Sequence, residues 1–174
     1  FADEEIPPFD NFLNACTEGN MEVLEIIVTE HPEFVNSQSP NGESCLHVAS
    51  ILGQPAVTKF MIEQGANPDV RSTFSQGLRM TPLSWNVYGG HVENARALLQ
   101  AGASVNLEFD SMTDNEEKVT SLDVLYQSIL DQYNHDESYR KDPHIQKFYE
   151  MKDLLLEYGA KQYKDLQEEE ETEL

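Results

Sequence analysis

The stretch Thr81-Pro82-Leu83-Ser84-Trp85-Asn86-Val87-Tyr88-Gly89-Gly90-His91 decides the fold, because Ser44-Cys45-Leu46-His47-Val48-Ala49 repeats its opening 37 residues earlier. Each opening leads to a Gly, at Gly53 and Gly90, then to an apolar-periodic run, then to Gly65-Ala66 or Gly102-Ala103. Leu46 to Gly65 and Leu83 to Gly102 are both 19 residues. The unit has a physical sense. Ser or Thr caps a helix N-terminus, and Pro at the first helical position is pre-set for the turn. A short helix then buries Leu46 and Ala49, or Leu83 and Val87, and a Gly ends it in the conformation Gly tolerates best. A second helix carries Val57, Phe60, Met61 and Ile62, or Val92, Ala95, Leu98 and Leu99, at helical spacing.

These motifs resemble the ankyrin repeat. Thr81-Pro82-Leu83 and Leu46-His47-x-Ala49 match the Thr-Pro-Leu-His-x-Ala opening in complementary halves. Gly90-His91 matches the family's Gly-His turn, and Leu98-Leu99-x-x-Gly102-Ala103-x-Val105-Asn106 its second helix and exit. Two weaker units flank this pair. One runs from Phe12 through Gly19-Asn20 to Asn36, the other from Thr120-Ser121-Leu122-Asp123 to Gly159-Ala160.

The resemblance implies an all-α ankyrin-repeat solenoid of helix–turn–helix units joined by β-hairpin-like loops. It covers about residues 9–164, with units at about 9–36, 37–70, 71–106 and 107–164. An acidic arm at 1–8 and an acidic, solvated or disordered tail at 165–174 lie outside it. The inner positions Phe12, Leu46, Leu83 and Leu122 stand 34, 37 and 39 apart, against about 33 in the family. The extra residues fall in the hairpins at about 70–80 and 106–119. The fourth unit holds an insertion at 127–145, which is expected to lengthen its helices or form a loop.

Charge narrows the function. The 32 acidic and 11 basic residues give a formal charge of −21, and residues 1–58 contain no Lys or Arg. Such a field repels phosphate backbones and anionic lipid heads, which excludes nucleic acid and membrane surfaces as favoured partners. A basic partner would be steered toward it, over about 8 Å at physiological salt. No apolar run approaches the 18 or so residues of a membrane span, and the start lacks a signal-peptide pattern. Phe1 in place of Met points to a fragment or processed form. Cys16 and Cys45 occupy unmatched points of neighbouring units, so no structural disulfide is expected and a reducing intracellular compartment is favoured.

No catalytic arrangement is evident. Cys45 and His47 invite a nucleophile–base reading, but His47 sits at the repeat's own His position, and His91 belongs to its turn. The remaining histidines, His31, His135 and His144, have no metal-site spacing. The acidic segment 108–117 lacks the central Gly of a calcium loop. No cofactor is implied. One alternative is an enzyme or metal-dependent protein using His135, Tyr139, Asp142 and His144 of the inserted fourth unit; another is an acidic structural spacer.

The main expectation is a non-enzymatic protein–protein interaction module: an adaptor, scaffold or subunit of a larger assembly. The resemblance implies binding through the concave face of hairpin tips and first helices. By position that marks Ile51, Leu52, Phe74, Leu78, Met80 and Tyr88 as an exposed apolar cluster, with Glu43, Arg71 and Arg79 beside it. The expected partner presents a basic or mixed basic and apolar surface. Trp85 is expected to face the core.

Overall fold

The computed structural model describes residues 8–73, 79–110, 118–133 and 137–172. Eight helices pair into four units: α1 (Pro8–Glu18) with α2 (Met21–Glu30), α3 (Cys45–Leu52) with α4 (Pro55–Glu63), α5 (Pro82–Gly89) with α6 (Val92–Gln100), and α7 (Ser121–Ser128) with α8 (Gln146–Glu157). The first helices stack in the order α1, α3, α5, α7, and the second helices run α4, α6, α8 behind them. A short antiparallel pair, β1 (Phe109–Asp110) and β2 (Lys118–Val119), forms the hairpin before the fourth unit. The core is one continuous cluster along the seam, from Phe12 and Leu24 through Leu46, Met61, Leu83 and Leu98 to Leu125 and Leu155.

Local chemistry fixes the helix ends. Ser44, Thr81 and Thr120 stand at the N-caps of α3, α5 and α7, each accepting from the N–H three residues on. Gly53 and Gly90 close α3 and α5 with φ of 65° and 68°. Gly53 has a second reason to be glycine. A Cβ there would lie 2.4 Å from Nδ1 of His91, whose ring is inserted from the next unit.

The insertion in the fourth unit becomes two 3₁₀ turns, Leu130–Tyr133 and Glu137–Lys141, followed by an α8 longer than α4 or α6. Tyr133 packs against the core and stacks edge-on with Tyr139 at 5.0 Å. The acidic run after Gln167 was expected to be a solvated or disordered tail. It is solvated but ordered through Thr172, as part of a helix with no buried residue, α9 (Tyr163–Thr172), and Lys161 just before that helix pairs with Glu169.

Cys16 and Cys45 are bonded, which corrects the expectation that they stay apart. Their Cα atoms are 5.6 Å apart and both residues are fully buried. Stacking explains the pairing: it sets the position four after the inner residue of one unit against the position one before it in the next. The same register recurs one junction on, where Asn86 Nδ2 donates to both Ser50 Oγ and the Pro82 carbonyl at 2.9 Å. Cysteine usage therefore carries no argument for a reducing compartment.

Gly53→Ala is expected to cost about 1–3 kcal/mol in urea unfolding, from its left-handed backbone and the collision with His91. Part of that loss should be recovered in the His91→Ala background, which removes the collision and leaves the backbone term.

Candidate functional site

Three sets of side chains bind each unit to the next, and they position the exposed face. The first set closes the loops after the second helices. Asn36 Nδ2 donates to the Gly65 carbonyl (3.1 Å) and its Oδ1 accepts from Asn67 N–H (2.8 Å). Asn106 repeats this bracket on Gly159 (3.1 Å) and Lys161 (2.8 Å). Between them Asp69 has no donor, so it accepts twice from Ser104, from the backbone N–H at 2.8 Å and the hydroxyl at 2.5 Å.

The second set occupies the His position of the repeat. His47 Nδ1 accepts from Ser44 N–H at 3.1 Å, so the proton sits on Nε2, which donates to the Met80 carbonyl at 3.1 Å. Burial, chiefly, lowers the pKa of this imidazole to about 4. In the third unit Ser84 replaces the His and its hydroxyl meets that of Ser121 at 3.1 Å. In the fourth, Asp123 accepts from Thr120 N–H and from Tyr163 N–H, both at 2.8 Å, and so ties α9 to the stack. Cys45 is bonded to Cys16 and cannot act as a nucleophile for His47.

The third set reaches backwards from each second helix to the preceding first helix. Gln54 Nε2 donates to the Thr17 carbonyl (2.8 Å), His91 Nε2 meets the Ile51 carbonyl (3.2 Å), and Lys147 Nζ donates to the Gly89 carbonyl (2.9 Å). These carbonyls belong to helix C-termini, where the macrodipole is negative and no last turn carries a basic residue. A shallow groove of about 310 Å³ lies beside this row, lined by Gly53, Gly90, His91, Asn94 and Lys147 among others.

The row presents Thr17 and Glu18 on α1, Ile51 and Leu52 on α3, Tyr88 on α5 and Gln127 on α7, all exposed. Ile51, Leu52 and Tyr88 are 38%, 46% and 44% accessible, large values for apolar and aromatic side chains. Met80 departs from the expected cluster. It is 1% exposed, because its backbone is drawn in by His47 and its side chain joins the core. Phe74 and Leu78 lie outside the described residues. Trp85 is half-buried against the core, and Tyr88 stands edge-on to it at 6.3 Å.

The charged candidates sit on the hairpins. Glu43 is half-buried in a tight turn, where its carbonyl accepts from Ser39 N–H at 2.8 Å. The Arg71 carbonyl accepts from Gln38 at 2.6 Å, which joins neighbouring hairpins. Arg79 is exposed, with φ of 53°, a left-handed backbone that side chains other than Gly seldom adopt. Lys118 donates to Asp110 and, with weaker contributions from Arg79 and Arg71, holds that carboxyl below its ordinary range. Both arginines thus already lie in the field of an acidic residue of their own chain.

The residues of the catalytic alternative that the structure describes are engaged in local contacts. Tyr139 stacks on Tyr133, and Asp142 accepts from the His144 backbone N–H at 2.9 Å. His135 lies outside the described residues. Arg140 forms a two-pronged pair with Asp153 at 2.8 Å and covers the Tyr149 ring, which makes this segment a packed corner. Among the described residues no group of three or more His, Cys, Asp or Glu is placed to hold a metal ion, and no helix is long and apolar enough to cross a membrane.

The family described as ankyrin repeats (3 copies) matches residues 12–109. The chain is 31% identical over 72 residues, 41% of its length, to the transient receptor potential cation channel subfamily A member 1 homolog of Caenorhabditis elegans. It is 34% identical over 55 residues, 31% of its length, to diacylglycerol kinase zeta of Rattus norvegicus. In each case the matched stretch spans 6% of the relative.

The depressed His47 pKa has a definite sign. The unfolded imidazole takes up its proton near pH 6.5 and the folded one only near 4, so stability is full above 6.5 and falls as pH drops through that window. This group alone is expected to remove about 3 kcal/mol between those limits. Urea unfolding of the wild type and of His47→Gln as a function of pH checks it: the variant's curve should be flatter across the window.

Proposed function

The chain belongs to the ankyrin-repeat family, and on that premise we propose that it holds another protein on the row formed by the C-terminal turns of α1, α3, α5 and α7, as an adaptor or a subunit of a larger assembly. Ankyrin repeats are in general protein–protein interaction modules and in general not catalytic. The observation that carries the reading is the exposure of Ile51, Leu52 and Tyr88 at matching positions of adjacent helices, while the neighbouring apolar positions are buried in the core. Burying one such side chain fully is worth about 1.5–3 kcal/mol, so the three together can anchor a complex after association costs.

The surroundings favour a partner that carries Lys or Arg around an aliphatic or aromatic knob. Glu18 adjoins Ile51 and Leu52 along the row, the helix C-termini add negative potential, and the chain carries a net −21. Association with such a partner is steered by charge and held by the apolar contact, so salt would slow its formation more than it speeds its loss.

The test is copurification of the chain from its native source at about 0.15 M and then about 0.5 M salt, where the Debye length roughly halves. A stoichiometric protein is expected. Ile51→Asp combined with Tyr88→Ala should weaken its binding by about 2 kcal/mol, roughly thirtyfold, with the thermal midpoint unchanged. Undiminished binding by that variant would remove this surface from consideration and leave the acidic spacer.

A further inference from the structure

The Cys16–Cys45 bond joins two units rather than closing a loop within one. Cys16 lies on α1 and Cys45 begins α3, and the chain between them contains all of α2, the Pro32–Asn36 turn and the hairpin to the second unit. Without the bond, the first unit has the weakest hold of the four. It has a neighbouring unit on one side, and α2 packs on α4 less closely than α4 on α6 or α6 on α8. Among the described residues its polar ties to the second unit, Gln54 to Thr17 and Asn36 to Gly65 and Asn67, are exposed to water. Solvent-exposed hydrogen bonds and sparse packing mark the segments of a protein that open first.

We propose that this disulfide is a redox latch on the first unit: oxidised, it holds α1 and α2 against the second unit, and reduced, it lets them open while units two to four stay folded. Both cysteines are 0% exposed, so a reductant reaches the sulfurs only when the packing around the bond opens locally, with α1 and α3 still joined. The reductant is a dithiol. One of its thiolates attacks a cysteine sulfur and breaks the S–S bond, and its second thiolate then displaces that cysteine. The dithiol ends as a cyclic disulfide, oxidised by two electrons, and Cys16 and Cys45 take up protons as thiols. Once the cross-link is cut, only the chain through the Pro32–Asn36 turn and the hairpin joins α1 and α2 to α3, and their opening becomes far more favourable. Glu18 leaves the row together with α1, which removes negative charge from beside Ile51 and Leu52.

The experiment is hydrogen–deuterium exchange by mass spectrometry on the whole chain, before and after incubation with dithiothreitol. Alkylation under denaturing, non-reducing conditions first establishes the thiol state; two freely alkylated cysteines in the untreated protein would overturn the proposal. With the bond intact, peptides from 8–36 are expected to exchange slowly. Dithiothreitol should raise their exchange on the order of a hundredfold, with peptides from 82–155 changing less than about twofold. The Cys16→Ala, Cys45→Ala double variant should reproduce the reduced pattern without any reductant. Equal acceleration along the chain, no acceleration, or a double variant as protected as the oxidised protein would each overturn the latch.

Discussion

A pair of short helices has two apolar faces and no means of covering either alone, so each unit here is folded only in so far as it is pressed against its neighbours. Everything else in the molecule serves that contact. The apolar seam supplies attraction without direction, because methyl groups packed side by side tolerate sliding. Direction comes from side chains that seek backbone groups of the adjoining unit. Asn36 and Asn106 grip the loops behind, His47 reaches the carbonyl before the next helix, and His91 and Lys147 reach the end of the previous one. These acceptors and donors sit at fixed points of the unit, so the hydrogen bonds set the register that hydrophobic packing leaves open.

That division of labour decides how much could be read from sequence. The Gly-terminated helices, the caps and the inner Leu positions are local features with a physical signature at fixed offsets, and the two best-matched units carried the fold with them. Met80 was misread because its neighbours along the chain suggest an exposed hairpin, and only the bond from His47, 33 residues away, turns the backbone so that its side chain enters the core. The disulfide was missed for a related reason. Comparing Cys16 and Cys45 within the repeat alignment shows them at different positions, whereas packing joins a late position of one helix to the first position of the next. The pairing of Ser50 with Pro82 through Asn86 is the signal that could have revealed the offset, and it is three-dimensional. The acidic end read as a tail because Glu168 to Glu171 repel one another; Asp123 offsets that by anchoring the start of the helix, and Lys161 by pairing with Glu169 further along it.

The exposed row follows from the same geometry. The positions that present Ile51, Leu52 and Tyr88 lie where a first helix ends and a second begins, and the backward-reaching donors already satisfy the carbonyls there. The side chains at these points are therefore not needed to satisfy those carbonyls, and Ile51, Leu52 and Tyr88 face solvent there. On α1 and α7 they are polar and on α3 and α5 apolar, so the middle of the row differs from its ends. Asp69 marks the junction of the second and third units in the loops after the second helices, where a carboxylate replaces the amide of the other brackets.

A string of units coupled in series has a mechanical character as well as a chemical one. Pulled by its two ends, such a stack lengthens as individual units give way, each releasing the slack folded within it. The bond from Cys16 to Cys45 withholds the chain between them, a separation of 29 residues, from that extension. At about 3.5 Å per extended residue, roughly 100 Å of length stays locked in until the bond is cut. The covalent tie thus sets the longest reach of the molecule under tension, whatever the applied force does to the units beyond it.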